Sequence, residues 1–270
     1  MLSLLIWLPA ATALIGATAG GRRTAGVAAL LGSLASLGLS IALIAGWSGQ
    51  LGGLTHVTDV VWIRSLGVHY KIGVSGLNLF LVTLTSFVFS LSLVAANRRD
   101  WPRPELFYLL LGIAQSAVLG AFLAQDLALF IGFFDLMLIP FYLLTGVYGG
   151  PGRVAATTKL VIYTMVGSLL MLASIIVFGL QQGTFDLTTI GTSHSDWLFL
   201  GFVIAFVIKA PLFPFHGWLP DAYREAPPEV AAALSGVIGK AGILTRKAAA
   251  NSRKIQSWVP WPSGVAASAV

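Results

Sequence analysis

The 270-residue chain contains no cysteine. Disulfides, thiolate-held iron–sulfur clusters and cysteine-ligated zinc within the chain are therefore excluded. Charge is nearly as scarce: 10% of residues are Asp, Glu, Lys or Arg, against 57% hydrophobic, and mean hydropathy is +0.87. No water-soluble globule of this size could bury so much apolar surface, so the chain reads as an integral membrane protein. Acidic residues number ten against sixteen basic ones, giving +6. That excess resembles a nucleic-acid binder's, but the cations are scattered over short loops and build no basic face. The lipid bilayer is the expected partner.

A helix needs about 20 apolar residues to cross about 30 Å of hydrocarbon. Eight stretches approach that length: Leu2–Ala19, Ala25–Gly46, Leu77–Ala96, Leu106–Ala124, Leu127–Tyr148, Lys159–Leu180, Trp197–Phe215 and Val230–Leu244. The expected fold class is all-α, a polytopic transmembrane helix bundle of about eight spans. No basic residue precedes the first run, so it reads as a span and not as a cleaved signal. Between the second and third runs, residues 47–76 form a longer loop whose alternation around Val57–Ile63 predicts a hairpin. Arg22, Arg23, Arg98, Arg99, Arg103, Arg153 and Arg224 fall in alternate loops, which predicts those loops to be cytoplasmic and the N-terminus and the 47–76 loop to be outside. Trp47, Trp101, Trp197 and Trp218 stand at span ends, where interfacial anchors are expected. The rule fails after the eighth run, where Arg246, Lys247, Arg253 and Lys254 follow on the wrong side. Residues 1–244 are thus read as the membrane domain and 245–270 as an aberrant or disordered tail.

Few ionisable residues lie deep in the runs. Asp135 is about 12 Å into the fifth, Lys209 about 18 Å into the seventh and Lys240 about 15 Å into the eighth, by helical rise. An ammonium in hydrocarbon marks function by default. Burial disfavours a charged lysine while a nearby carboxylate favours it, and these opposed effects let a lysine load and release a proton. The plainer reading is a structural ion pair joining two helices. Lys159 lies near a predicted span end, where snorkelling to the headgroups explains it. Pro211 and Pro214 should break the seventh helix just after Lys209, and broken helices at membrane depth line cavities and make ion sites. His216, just past the break, is placed to relay protons or merely to bond an exposed carbonyl. Asp221 to Glu229 reads as a charged, rigid turn.

The string KAPLFPFHGWLPDAYREAPPEV from Lys209, followed by LSGVIGKAG, resembles the antiporter-like proton-translocating subunits of respiratory complex I. LNLFLVTLTS, FFDLMLIPFYLLTGVYGG and AATTKLVIYTMVGSLLML, in that order, resemble the subunit M (subunit 4) type more than L or N. The resemblance implies a bacterial plasma-membrane subunit of NADH:quinone oxidoreductase that moves protons, with other membrane subunits as partners. Flavin, iron–sulfur clusters and quinone would belong to those partners, and this chain would hold no cofactor and no metal. It also implies roles: Asp135 in place of the family's fifth-span glutamate, Lys209 paired with it, Lys240 as the central lysine of the eighth span, and Lys159 and His216 as accompanying polar positions. Departures are the shorter carboxylate at Asp135, Tyr223 where many members carry histidine, and Ser75 where aspartate is commoner. Family members are roughly twice as long, so this chain corresponds to the first half of an inverted-repeat fold. The resemblance ends near Gly242, and a frameshift or early stop is expected there. A cation/proton antiporter subunit shares the lysine pattern and is the second reading. A non-conducting membrane fragment whose charges only pair helices is the third.

Overall fold

The computed structural model describes residues 1–47, 53–189, 191 and 195–236. Lys240, most of the expected eighth span and the 245–270 tail lie outside them. The chain is a helix bundle. Its helices are α1 (Leu2–Ala19), α2 (Arg22–Ala45), α3 (Gly76–Ala96), α4 (Pro104–Leu123), α5 (Leu127–Leu136), α6 (Leu138–Tyr148), α7 (Arg153–Gln182), α8 (Asp196–Lys209) and α9 (Trp218–Glu225). A tenth helix, α10, begins at residue 228 and continues to the edge of the described region at 236. Strands β1 (Thr55–Ile63) and β2 (Val68–Val74) pair antiparallel between α2 and α3. Gly67, at φ 64°, supplies the left-handed residue their turn requires.

Among the described residues, six helical segments are long and apolar enough to cross a membrane: α1, α2, α3, α4, the combined Leu127–Tyr148 segment and α7. The most apolar stretch of α4 is 83% buried, against 33% in α1, which makes α4 the axis of the bundle. Small residues bring its neighbours close. A Cβ at Gly112 would sit 2.7 Å from the carbonyl oxygen of Pro9 and 2.4 Å from Ala13 Cβ. Pro9 interrupts the backbone ladder of α1, and the next amide, Ala10, donates instead to Ser116 Oγ of α4 at 2.9 Å. On another face of α4, a Cβ at Gly120 would come within 2.5 Å of the Phe133 ring of α5. Gly120→Ala is accordingly expected to cost about 1–3 kcal/mol through overpacking. Thermal unfolding of the purified chain in detergent measures it, and an unchanged midpoint would refute this packing.

At one end of the bundle, β2 and the turn between α4 and α5 form a lid. Gln125 N–H donates to Lys71 O at 2.8 Å, and Ser75 and Asn78 make a reciprocal capping box that starts α3. Asp126 caps α5 by accepting from the amides of Ala128 and Leu129, and also accepts from His69 N–H. Its burial pushes the carboxyl above the usual range despite these three donors. The loop after α7 is tied in by Lys71 Nζ, 2.5 Å from Asp186 and 2.8 Å from Thr188 Oγ1. Burial raises the Asp186 carboxyl, but Lys71 and the Thr188 donors outweigh it and hold it below the ordinary value.

Several expectations need correcting. The sixth span begins at Arg153, not Lys159, so Lys159 lies more than a turn inside α7. The fifth span is interrupted at Met137, because Pro140 has no N–H to give the Leu136 carbonyl. The segment read as a charged turn contains α9, and Trp218 is no interfacial anchor: it is 1% exposed.

Candidate functional site

Two interrupted helices and one continuous helix meet at Asp135 and Lys209. Asp135 lies in the last turn of α5, two residues before the break. Lys209 is the last residue of α8, where Pro211 ends the helix. Pro211 cannot donate to the Val207 carbonyl, and Leu212 N–H takes that role at 2.9 Å. The Ile208 carbonyl, which Leu212 would otherwise serve, accepts from Trp218 Nε1–H at 3.1 Å. An indole from α9 thus completes the broken end that carries the lysine.

The Lys209 ammonium is 3.3 Å from Asp135 Oδ1 and 3.7 Å from the centroid of the Phe134 ring, a charge pair with a cation–π contact. Ser168 of α7 donates to the same Asp135 oxygen. The lysine side chain is only 8% exposed and the aspartate 37%. The shorter carboxylate still reaches the lysine, and beside the pair α7 and α8 approach closely. A Cβ at Gly167 would lie 3.2 Å from Ile208 Cγ2, and one at Gly201 would lie 2.1 Å from Ser174 Oγ. Carboxylate, hydroxyl and ammonium in mutual reach form a group that can pass a proton along hydrogen bonds.

Lys159 and His216 stand apart. Lys159 lies nine residues before Ser168 on α7, roughly 13 Å along the axis. Its Nζ is 2.6 Å from Asp221 of α9, and this ion pair is more than half exposed on the lysine side. The Lys159 hydrogen bond, and then its charge, hold the Asp221 carboxyl below its usual value. His216 is exposed in the turn Phe215–Gly217, its ring 5.9 Å from that of Phe213. Glu225 closes α9 onto the start of α7: its carbonyl accepts from Gly150 N–H and its Oε2 from Gly152 N–H at 2.8 Å. Side chains at either glycine would collide with it. Sequence reasoning missed Ser168, Phe134, Trp218 and Glu225. The Trp218 contribution is measurable. Trp218→Phe leaves the Ile208 carbonyl without its donor and should lower stability by about 1–3 kcal/mol. Thermal unfolding in detergent reads it, and a variant as stable as wild type would refute the cap.

Residues 124–260 match the family described as NADH:quinone oxidoreductase/Mrp antiporter, transmembrane. That stretch includes Asp135, Lys159, Lys209, His216 and Lys240, and it runs past Gly242, where the motif resemblance ends. The chain is 33% identical over 266 residues to NADH-quinone oxidoreductase subunit M of Rhodobacter capsulatus, covering 90% of this chain and 51% of the relative. It superposes with a TM-score of 0.80 and 31% identity on a chain of respiratory complex I from Thermus thermophilus with bound NADH, covering 91% of this chain and 52% of that one. The fold is also that of a chain in the Mrp complex from Dietzia sp. DQ12-45-1b, at a TM-score of 0.76 and 23% identity. The fold and the charge pair define a class of polytopic membrane subunits with ionisable groups inside the bundle. The chain belongs to the NADH:quinone oxidoreductase/Mrp antiporter transmembrane family. It spans about half the length of the curated relatives it matches.

Proposed function

We propose that this chain is a proton-translocating membrane subunit of an NADH:quinone oxidoreductase. In this reading Lys209 and Asp135 exchange a proton directly, with Ser168 donating to the same carboxylate oxygen, and Lys240 in the eighth span receives it. The observation that carries the reading is the Lys209 ammonium, 3.3 Å from Asp135 at the proline-broken end of α8, which this reading sets inside the membrane. Broken helices at that depth serve ion sites, and a lysine poised against a carboxylate responds to any charge that moves nearby. Lys159 with Asp221, and His216, stand nearer the α7 entrance and would admit protons there. Redox chemistry, with its flavin, iron–sulfur clusters and quinone, belongs to partner subunits. The subunit sits in the bacterial plasma membrane among other membrane subunits of the complex. Its N-terminus and the β1–β2 hairpin face outward, because the end carrying Arg22, Arg99 and Arg103 is the cationic one.

The family also contains Mrp antiporters, and the fold match to an Mrp chain keeps a cation/proton antiporter subunit as the second reading. Sealed membrane vesicles separate the two. NADH-driven acidification of the lumen that is insensitive to an imposed sodium or potassium gradient is expected under the first reading. Acidification driven by the cation gradient, with no response to NADH, would replace it by the second.

A further inference from the structure

On the side of α4 turned away from α5, three helices present polar groups at one level. The register is set by Tyr108. Its hydroxyl donates to the Ala96 carbonyl of α3 at 3.1 Å, and a Cβ at Gly26 of α2 would lie 3.1 Å from its ring. Tyr108, Gly26 and Ala96 therefore share a level. Seven residues further along α4, two turns on the same face and roughly 10 Å away, is Gln115. The same displacement leads from Gly26 to Ser33 on α2. On α3, which runs the opposite way, it leads back from Ala96 to Phe89 and Ser90. The Ser33 and Ser90 hydroxyls are indeed 2.9 Å apart, and Ser90 donates to the Ser86 carbonyl at 2.8 Å.

Gln115 is 0% exposed, yet among the described residues neither its amide nitrogen nor its oxygen has a hydrogen-bond partner. The hydroxyls of Ser86 and Thr85, one turn from Ser90 and also buried, are unpartnered as well. Buried polar groups are almost always satisfied, and an amide carries two donors and an acceptor that apolar surroundings cannot serve. Whatever satisfies these groups must both donate and accept. It must also be small, because Phe89, Tyr108 and Leu111 beside it are fully buried. Water meets these conditions.

We propose that the polar level shared by α2, α3 and α4 is a buried water-binding site, in which one or two ordered waters join Gln115 to the hydroxyls of Ser86 and Ser90. The site is independent of the Asp135–Lys209 pair, from which α4 separates it: Gly120, on the side of α4 facing α5, packs on Phe133.

Millisecond X-ray radiolysis of the membrane-embedded chain tests this, because bound water is converted to hydroxyl radical in place and labels its neighbours. Phe89 should be oxidised several-fold faster than Phe141, which is equally buried but on α6. Gln115→Leu should reduce Phe89 labelling to the Phe141 level, and Ser86→Ala, a smaller change in volume, should reduce it too should the leucine variant fail to assemble. Equal labelling of Phe89 and Phe141 in the wild type, or undiminished Phe89 labelling in whichever variant assembles, would overturn the proposal.

Discussion

Lys209→Met is expected to abolish proton translocation while leaving the chain folded and assembled in its membrane complex. The methionine retains most of the apolar stem that packs against Gly167 and loses only the ammonium between Asp135 and the Phe134 ring. Loss of a group that gives and takes a proton at each turnover lowers a rate by a factor on the order of 10² or more. NADH-driven proton uptake in reconstituted vesicles reads the effect. Lys159→Met, by contrast, removes a half-exposed ion pair with Asp221 and should leave most of the activity in place. Equal loss in both variants would mean that the seventh-span lysine has no special part.

Asp135→Ala should have the largest effect on stability. It leaves the Lys209 ammonium, 8% exposed, without its counter-ion, and strands the Ser168 hydroxyl. Removing one partner of a buried pair costs about 3–5 kcal/mol, and the partial exposure of Asp135 lowers that to about 2–3 kcal/mol. Removing the second charge should restore most of the loss, since an apolar pair of similar volume packs without desolvating an ion. The double-mutant cycle in detergent is thus expected to show strong positive coupling. Additive losses would mean that the two groups do not interact as the 3.3 Å separation implies.

What the sequence made legible were the local signals. A lysine and an aspartate in hydrocarbon are conspicuous, and Pro211 places the end of α8 at Lys209 because a missing amide acts on its own turn. Matching depths set Asp135 level with both Lys209 and Lys240, and the family resemblance implied the pairing with Lys209. The remaining partners required packing. Ser168 is one of several buried hydroxyls on α7, with Thr157, Thr164 and Ser174, and nothing in their spacing singles out the one that faces Asp135. Pro140 was visible, yet its effect appears three residues earlier at Met137, beside the carboxylate. The α9 segment, rich in charge and proline, reads as a loop until its packing against α7 and the Trp218 hydrogen bond to Ile208 are seen. The close approach of α7 and α8 rests on Gly167 and Gly201, two glycines among thirty in the sequence.

The central claim is that the buried pair carries protons and is more than a clasp between helices. Proton uptake by vesicles containing the Asp135→Ala, Lys209→Met double variant tests it most directly, because that variant should have regained the stability lost by the single aspartate change. A folded, assembled and stable complex that no longer translocates protons is the predicted result. Translocation at the wild-type rate would show that the pair only holds the helices together.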